Sequence, residues 1–455
     1  MTQLTTAPGL ASRSAAPAQI RLRSVLMAPA RYTTLYLVGT FVIFLMSNLT
    51  RDVENMFLLC LVVGLSYSGL HLGFRAGALS SQTPYRAVVI KDFGRTRPEF
   101  WLILAGSLYF TIWGVNQIYE FGGSSPGEVI RAIFSPGESY KAKFEIYQMR
   151  MDTNRVSRVT QLLVLLSLLY AINIPLGVTS WLRLKPWIRV IFVGSVLIYV
   201  ASFLFIGTMK GIGDVFLFAL AGTGVLLAKQ YLKSRVVISR AQARALIAVL
   251  AVALFTYMAG NQVARAEEFG ITESGIVGDI SDTFIARTLG QNVAYGVYSV
   301  LAYPSHGYLG LSHSLQQPFE FSYGAGFSQA LDSYRLQFLG GEDNLYLTYP
   351  HRAEPVTGWP ARMYWSTIFP WLASDMTFFL VPVFMAVVGF VFARVWIACI
   401  FGRSILALAA FGQFVIFVAF IPANNQILMQ RQGLWVVVSL LALWVFEKLR
   451  PHSRA

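Results

Sequence analysis

The sequence predicts an all-α polytopic membrane protein with about ten transmembrane helices and one long outer loop that holds short or re-entrant helices. Three observations lead there. The 455 residues are 55% hydrophobic and only 13% charged, where soluble domains run at about 25% charged. Ten apolar stretches approach the roughly 20 residues that a span needs. The basic residues crowd one alternating set of the segments between them, as in chains whose short cytoplasmic loops fix their orientation.

The ten stretches are Thr33–Asn48, Met56–Phe74, Phe100–Ile118, Leu162–Leu182, Trp187–Thr208, Val215–Leu232, Leu246–Val263, Met376–Ile397, Leu406–Ile421 and Leu434–Phe446. With the N-terminus inside and the segments alternating, 22 of the 36 Lys and Arg fall inside, but only Asp92, Glu99 and Glu447 among the 22 acids. Both termini are therefore expected to be cytoplasmic. The net charge of +14 then marks cytoplasmic loops, and no nucleic-acid partner is expected. Cys60 and Cys399 lie in apolar runs and make neither a disulfide framework nor a Cys-type zinc site.

The expected order is a disordered cytoplasmic tail (1–32), seven spans (33–263), a large outer loop (264–375), three spans (376–449) and a short cytoplasmic tail (450–455). The tail is rich in Ala, Ser, Thr and Pro and lacks the apolar core of a cleavable signal. Phe121–Gln161 is mixed in charge and predicts one or two short amphipathic helices on the surface. Phe284–Tyr303 is apolar at Ile285, Leu289, Val293, Val297 and Val300, one face of a helix. Arg287 and Gln291 make it too polar for a comfortable span, so a re-entrant or interfacial helix is expected.

The motifs of nucleotide and hydrolase chemistry are missing. No GxxxxGK[ST] and no strand-placed GxGxxG occurs. GTMKGIGD (Gly207–Asp214) holds Lys and glycines, but between two spans. No HExxH argues for zinc, and GLSHSL is not a GxSxG elbow. What remains is a polar constellation on the outer side: Lys210 and Asp214; Arg287; His306 and His313; Arg335, Glu342, Asp343, Arg352 and Arg362; Asp375; then Asn424, Asn425 and Arg431. Each has an ordinary alternative. A lone Arg near a span end snorkels to headgroups, Glu342–Asp343 suits a solvated turn, Phe319–Phe327 suits a membrane-dipping loop, and Asn424–Asn425 suits a helix terminus. Cations at headgroup depth, with Tyr, Trp, Asn and Glu in the same loop, suit a lipid-carried sugar diphosphate, since Arg grips phosphate with a planar fork and Lys as a point charge.

The GTMKGIGD turn, the loop stretch HGYLGLSHSLQQPFEFSYGAGFSQ, the loop end MYWSTIFPWLASD and the tail FIPANNQ together resemble bacterial oligosaccharide repeat-unit polymerases of the Wzy type, used for O-antigen and related surface polysaccharides. The resemblance implies an integral-membrane, metal-independent glycosyltransferase of the bacterial inner membrane, without a cofactor and with a periplasmic active site. Such an enzyme moves a growing glycan from undecaprenyl diphosphate onto an incoming lipid-linked repeat unit and releases undecaprenyl diphosphate. A chain-length regulator and a flippase are implied partners. In this scheme Lys210, Arg287, Arg335, Arg362 and Arg431 stabilise the departing diphosphate. One such donor is worth roughly 2.7–4 kcal/mol. His306 is the expected base, with Glu342, Asp343 and Asp375 as runners-up, and Asp214, Asn424 and Asn425 meet sugar or diphosphate. The alternatives are an O-antigen ligase-like transferase and a transporter of lipid-linked oligosaccharide, the latter expected to show discontinuous spans and internal repeats.

Overall fold

The structure is a computed structural model, and it describes residues 22–80, 90–123, 125–153, 157–233, 240–269, 277 and 280–449. Residues 1–21 and 450–455, most of the expected tails, lie outside the described residues. The described chain is helical, with no strand among the described residues.

In chain order the first long helices are α1 (Ala28–Leu45), α2 (Met56–Leu79) and α3 (Arg97–Glu120). Two surface helices follow, α4 (Pro126–Phe134) and α5 (Pro136–Thr153), then α6 (Arg158–Leu165), α7 (Leu168–Ser180), α8 (Pro186–Phe205), α9 (Lys210–Leu232) and α10 (Arg240–Phe269). A canopy of short helices comes next: α11 (Phe284–Leu289), α12 (Gln291–Ala302), α13 (Gly307–Leu315), α14 (Gln329–Leu339) and α15 (Tyr349–Thr357). The chain ends with α16 (Ile368–Phe401), α17 (Ile405–Phe420), α18 (Gln426–Met429) and α19 (Arg431–Leu449).

Each of the ten apolar stretches falls on helix. Six helices (α1, α2, α8, α9, the Ile247–Glu268 part of α10, and α16) are long and apolar enough to cross a membrane. Helices α6 and α7 pass the same test as a pair bent by 58°, which makes seven. α17 is apolar but only 16 residues long. α3 has the length but carries Arg97, Glu99, Asn116, Gln117 and Glu120.

The helix ends follow local chemistry. Asn55 caps α2 through Leu58 N–H at 2.9 Å, and the Ser125 and Glu128 side chains form a capping box at α4. α2 and α16 are the most closely apposed pair. Gly69, Gly73 and Gly77 share one face of α2. A Cβ built on them would lie 2.3, 1.8 and 2.5 Å from the carbonyl oxygens of Pro382, Ala386 and Phe390. Gly389 makes the reciprocal approach to Leu70 O. Small residues every fourth position let two backbones touch, which is how helices associate where lipid removes the hydrophobic drive.

Three expectations change in the structure. The boundary at residue 264 falls inside α10, because the ARAEEF stretch keeps hydrogen-bonding as helix. Phe284–Tyr303 is two helices, broken at Gly290 with φ +90. The helix that carries the expected eighth span begins before Met376. α16 starts at Ile368, runs buried to Ser374, and breaks at Thr377 (φ 70, ψ 156) before continuing to Phe401. That backbone region is almost reserved for glycine and costs a β-branched residue about 1–3 kcal/mol.

On the far side from the canopy, ion pairs tie the helix ends. Asp92 meets Arg183 at 2.8 Å and Lys233 at 2.5 Å, and Lys229 donates to the Lys91 and Gly402 carbonyls.

Candidate functional site

Three of the four stretches that carried the family resemblance come together in space, all but the GTMKGIGD turn. Thr367 N–H donates to Gly307 O at 3.0 Å and Ile368 N–H to Ile421 O at 2.9 Å. Asn425 Nδ2 donates to Phe327 O at 2.6 Å, and Ser328 Oγ to Leu428 O at 2.9 Å. Asp375 Oδ1 accepts from Ser322 Oγ (2.6 Å) and Gly324 N–H (2.8 Å), and Oδ2 from Phe327 N–H (2.7 Å). Gly307, Gly310 and Gly326 lie against the backbone of Pro422, Trp365 and Trp371, with no room for a Cβ. α13 joins this knot to the bundle, since the buried Tyr308 hydroxyl bonds Thr40 Oγ1 (2.9 Å) and Tyr67 OH (2.5 Å).

His306, the expected base, is part of this scaffold. Its Nδ1 lies 2.9 Å from Ala302 O, which only accepts, so Nδ1 carries the proton. Its Nε2 accepts Trp365 N–H at 3.1 Å. Both ring nitrogens are therefore spent, and no lone pair is left for a substrate hydroxyl. The ring is fully buried among Tyr303, Trp359, Tyr364 and Trp365. Burial pushes its pKa down to about 4, against the backbone bond to Ala302. The folded value thus lies below the unfolded one near 6.5, so stability is complete above pH 6.5 and drains as pH falls through that value toward about 4. The loss amounts to about 3 kcal/mol at one pKa unit per 1.36 kcal/mol. Thermal unfolding of the detergent-solubilised protein from about pH 7 to about pH 4.5 should show this slope. His306→Phe should be less stable at neutral pH yet lack most of the slope; an undiminished slope would place the acid sensitivity elsewhere.

The expected cations fall into separate settings. Lys210 Nζ pairs with the buried Asp214 at 2.7 Å, and Tyr170 OH donates to the same oxygen at 2.6 Å. Asp214 Oδ1 has no partner. Arg287 is exposed on α11 and faces Asp282 at 3.2 Å. Arg335 and Arg431 converge on α14. Arg335 pairs with Asp332 at 2.8 Å and also donates to the carbonyls of Gly340 (3.2 Å) and Glu342. Arg431 donates to Ser333 Oγ at 3.2 Å and stacks over Tyr334 at 4.5 Å. Glu342 is exposed. Asp343 caps the turn before α15 by accepting Leu345 N–H at 3.0 Å. Asn425 is a stitch, while Asn424 is buried with its Oδ1 unpartnered. Arg362 is exposed and has no hydrogen bond or ion pair among the described residues. No contact links Lys210 or Arg287 to Arg335, Arg362 or Arg431 among the described residues.

A different histidine has the geometry of a base. Thr348 Oγ1 donates to Leu345 O at 2.6 Å, so it must accept from His351 Nδ1 at 2.9 Å. This fixes the tautomer with a bare lone pair on Nε2, which is buried and unpartnered. The Trp371 ring stands edge-on to the imidazole at 5.7 Å, and its Nε1–H is also buried and unpartnered. Tyr346 forms a further wall at 5.9 Å. Burial lowers the His351 pKa; the Arg362 charge lowers it further, and Glu354 and Asp343 pull the other way. An orphan acceptor and an orphan donor on neighbouring rings match the needs of a hydroxyl group, which both donates and accepts.

Sequence reasoning had passed over His351. The readable signal was Thr348-x-x-His351 at a helix start with Pro350 in the first turn, a spacing that brings the third residue back onto the cap.

No family model matches the chain, and no curated protein or solved structure is significantly similar to it.

Proposed function

We propose that the protein is a polytopic membrane glycosyltransferase that polymerises lipid-diphosphate-linked oligosaccharide repeats at its canopy. The reading takes the ten apolar helices as spans, both termini as cytoplasmic and the canopy as periplasmic. The observation that carries it is that His351 Nε2 and Trp371 Nε1–H, on neighbouring rings, are both unpartnered among the described residues, with the Arg362 charge acting on His351. The terminal sugar hydroxyl of the incoming repeat enters between the two orphan atoms, with α15 displaced from α16 to admit it. Nε2 takes the hydroxyl proton as the oxygen forms its bond to the anomeric carbon of the donor glycan. The bond from that carbon to the diphosphate breaks, its electron pair stays on the diphosphate, and Arg362 stabilises that charge. The exposed Tyr346 offers a ring face to the sugars. The diphosphate–sugar bond already carries the driving force, so undecaprenyl diphosphate is the leaving group and no nucleotide enters.

A second reading, a transporter of lipid-linked oligosaccharide, draws on the two discontinuous apolar elements, the α6–α7 bend and the α16 break at Thr377. Purified protein in vesicles loaded with lipid-linked repeat separates the two. The transferase gives a ladder of lengthened glycan and free lipid diphosphate. Arg362→Ala should lower ladder formation by about a hundredfold, the size of one lost charge donor. Translocation of the lipid with no new glycosidic bond overturns the transferase reading in favour of the transporter.

A further inference from the structure

Phe319, Phe321 and Tyr323 occupy alternate positions of the irregular stretch between α13 and α14, and they are 47, 46 and 68% exposed. Of the side chains between them, Ser322 turns to the protein, while Glu320 is half exposed. Glu320 faces Arg352 at 3.6 Å. Ser322 is buried and donates to Asp375. The backbone is held along its length: Arg352 donates to Pro318 O at 2.7 Å, Ser322 N–H to Ser374 O at 3.1 Å, and Gly324 and Phe327 N–H to Asp375. Tyr323 is kept at φ +51, a conformation uncommon outside glycine. The Phe321 and Tyr323 rings pack edge to face at 5.1 Å. Three exposed aromatic rings thus stand on a backbone held by Arg352, Ser374 and Asp375.

The mount fixes their height. Asp375 lies two residues before the break at Thr377, where the membrane part of α16 begins. From Phe378 to Phe401 this part is longer than the roughly 20 residues of a span, so its first turn reaches beyond the hydrocarbon into the headgroup layer. Phe379 in that turn is 91% exposed. Aromatic rings prefer this layer, with their apolar bodies out of water, and exposed apolar patches mark contact surfaces.

We propose that Phe319, Phe321 and Tyr323 form a finger that inserts into the interfacial layer of the phospholipid leaflet on the canopy side, and that the Asp375 carboxylate sets its depth. The proposal is independent of the transferase reading. The finger anchors the canopy to the bilayer at a point remote in sequence from the spans that flank it.

The test uses the full chain in phosphatidylcholine–phosphatidylglycerol vesicles, with Cys60→Ser to remove the exposed native thiol. A nitroxide is attached at Phe321→Cys or Tyr323→Cys, with the exposed Glu342→Cys as the aqueous control. Collision rates with apolar oxygen and with a water-soluble nickel chelate are read by power saturation. Insertion predicts several-fold lower nickel and higher oxygen accessibility at 321 and 323 than at 342. Nickel accessibility equal to the control overturns it, and so does protection from both reagents, which would mean a protein partner covers the finger. Asp375→Asn should return the label at 321 toward aqueous accessibility with faster motion; unchanged depth would remove Asp375 from the proposal while the first measurement still decides insertion.

Discussion

Gly73→Leu is expected to abolish the folded protein, read as loss of the monodisperse species in detergent and of cooperative thermal unfolding. A Cβ at this position would sit 1.8 Å from Ala386 O, 2.6 Å from its carbonyl carbon and 2.7 Å from its Cα. All three are backbone atoms of a long helix, so no rotamer change relieves the clash, and α2 and α16 must part along their contact. Parting them also opens the approaches at Gly69, Gly77 and Gly389. A destabilisation of about 4 kcal/mol or more follows, at the upper end for a single substitution. Gly64→Leu is the control, on the same helix. Nothing lies within 4 Å of its Cβ, and replacing Gly in a helix gains up to about 1 kcal/mol. A Gly73→Leu protein as stable as the parent would mean the two helices do not pack this way.

His351→Ala is expected to lower transfer from lipid-linked repeat by about a hundredfold or more, the range of a general base, while His313→Ala retains the rate. The sharper readout is the pH profile. The base works neutral, and burial followed by the Arg362 charge lowers its pKa below the ordinary 6.5. Activity should therefore persist below pH 6.5 and fall off as the medium acidifies past the lowered value. In Arg362→Gln one of the two causes is gone, so the acid limb should move to higher pH, whatever happens to the maximal rate. An acid limb that stays in place, or moves down, separates Arg362 from His351 and removes this histidine as the base. Loss of solubility in His351→Ala would leave the Arg362→Gln profile as the deciding measurement.

The helices were legible because lipid demands long apolar runs, and all ten stretches are helical. The breaks were not. Nothing at Thr377 advertises a positive φ, and the tertiary bonds of Asp375 to the turn at 322–327, two residues before it, are equally invisible in the sequence. Gly290 did carry a local sign, but the apolar face of Phe284–Tyr303 runs through it and reads as one helix. At the site, residue type misled. His306 and His351 are both histidines in the same loop, and only their neighbours distinguish a ring with both nitrogens occupied from one with a free lone pair. Cations were equally ambiguous. Arg335 is consumed at the C-terminal end of its own helix, while Arg362 is left free, and that depends on chain folding several residues away.

The stitches of the canopy also impose an order of events on synthesis. Residues 306–328 leave the ribosome long before Ile421, Asn425 and Leu428, yet those three supply the acceptor, donor and acceptor that close the canopy turns. Until the penultimate apolar helix has emerged, the aromatic knot around His306 has one side missing. The nascent chain must therefore wait with its canopy unclosed, and a product truncated after α16 would lack the residues that close it.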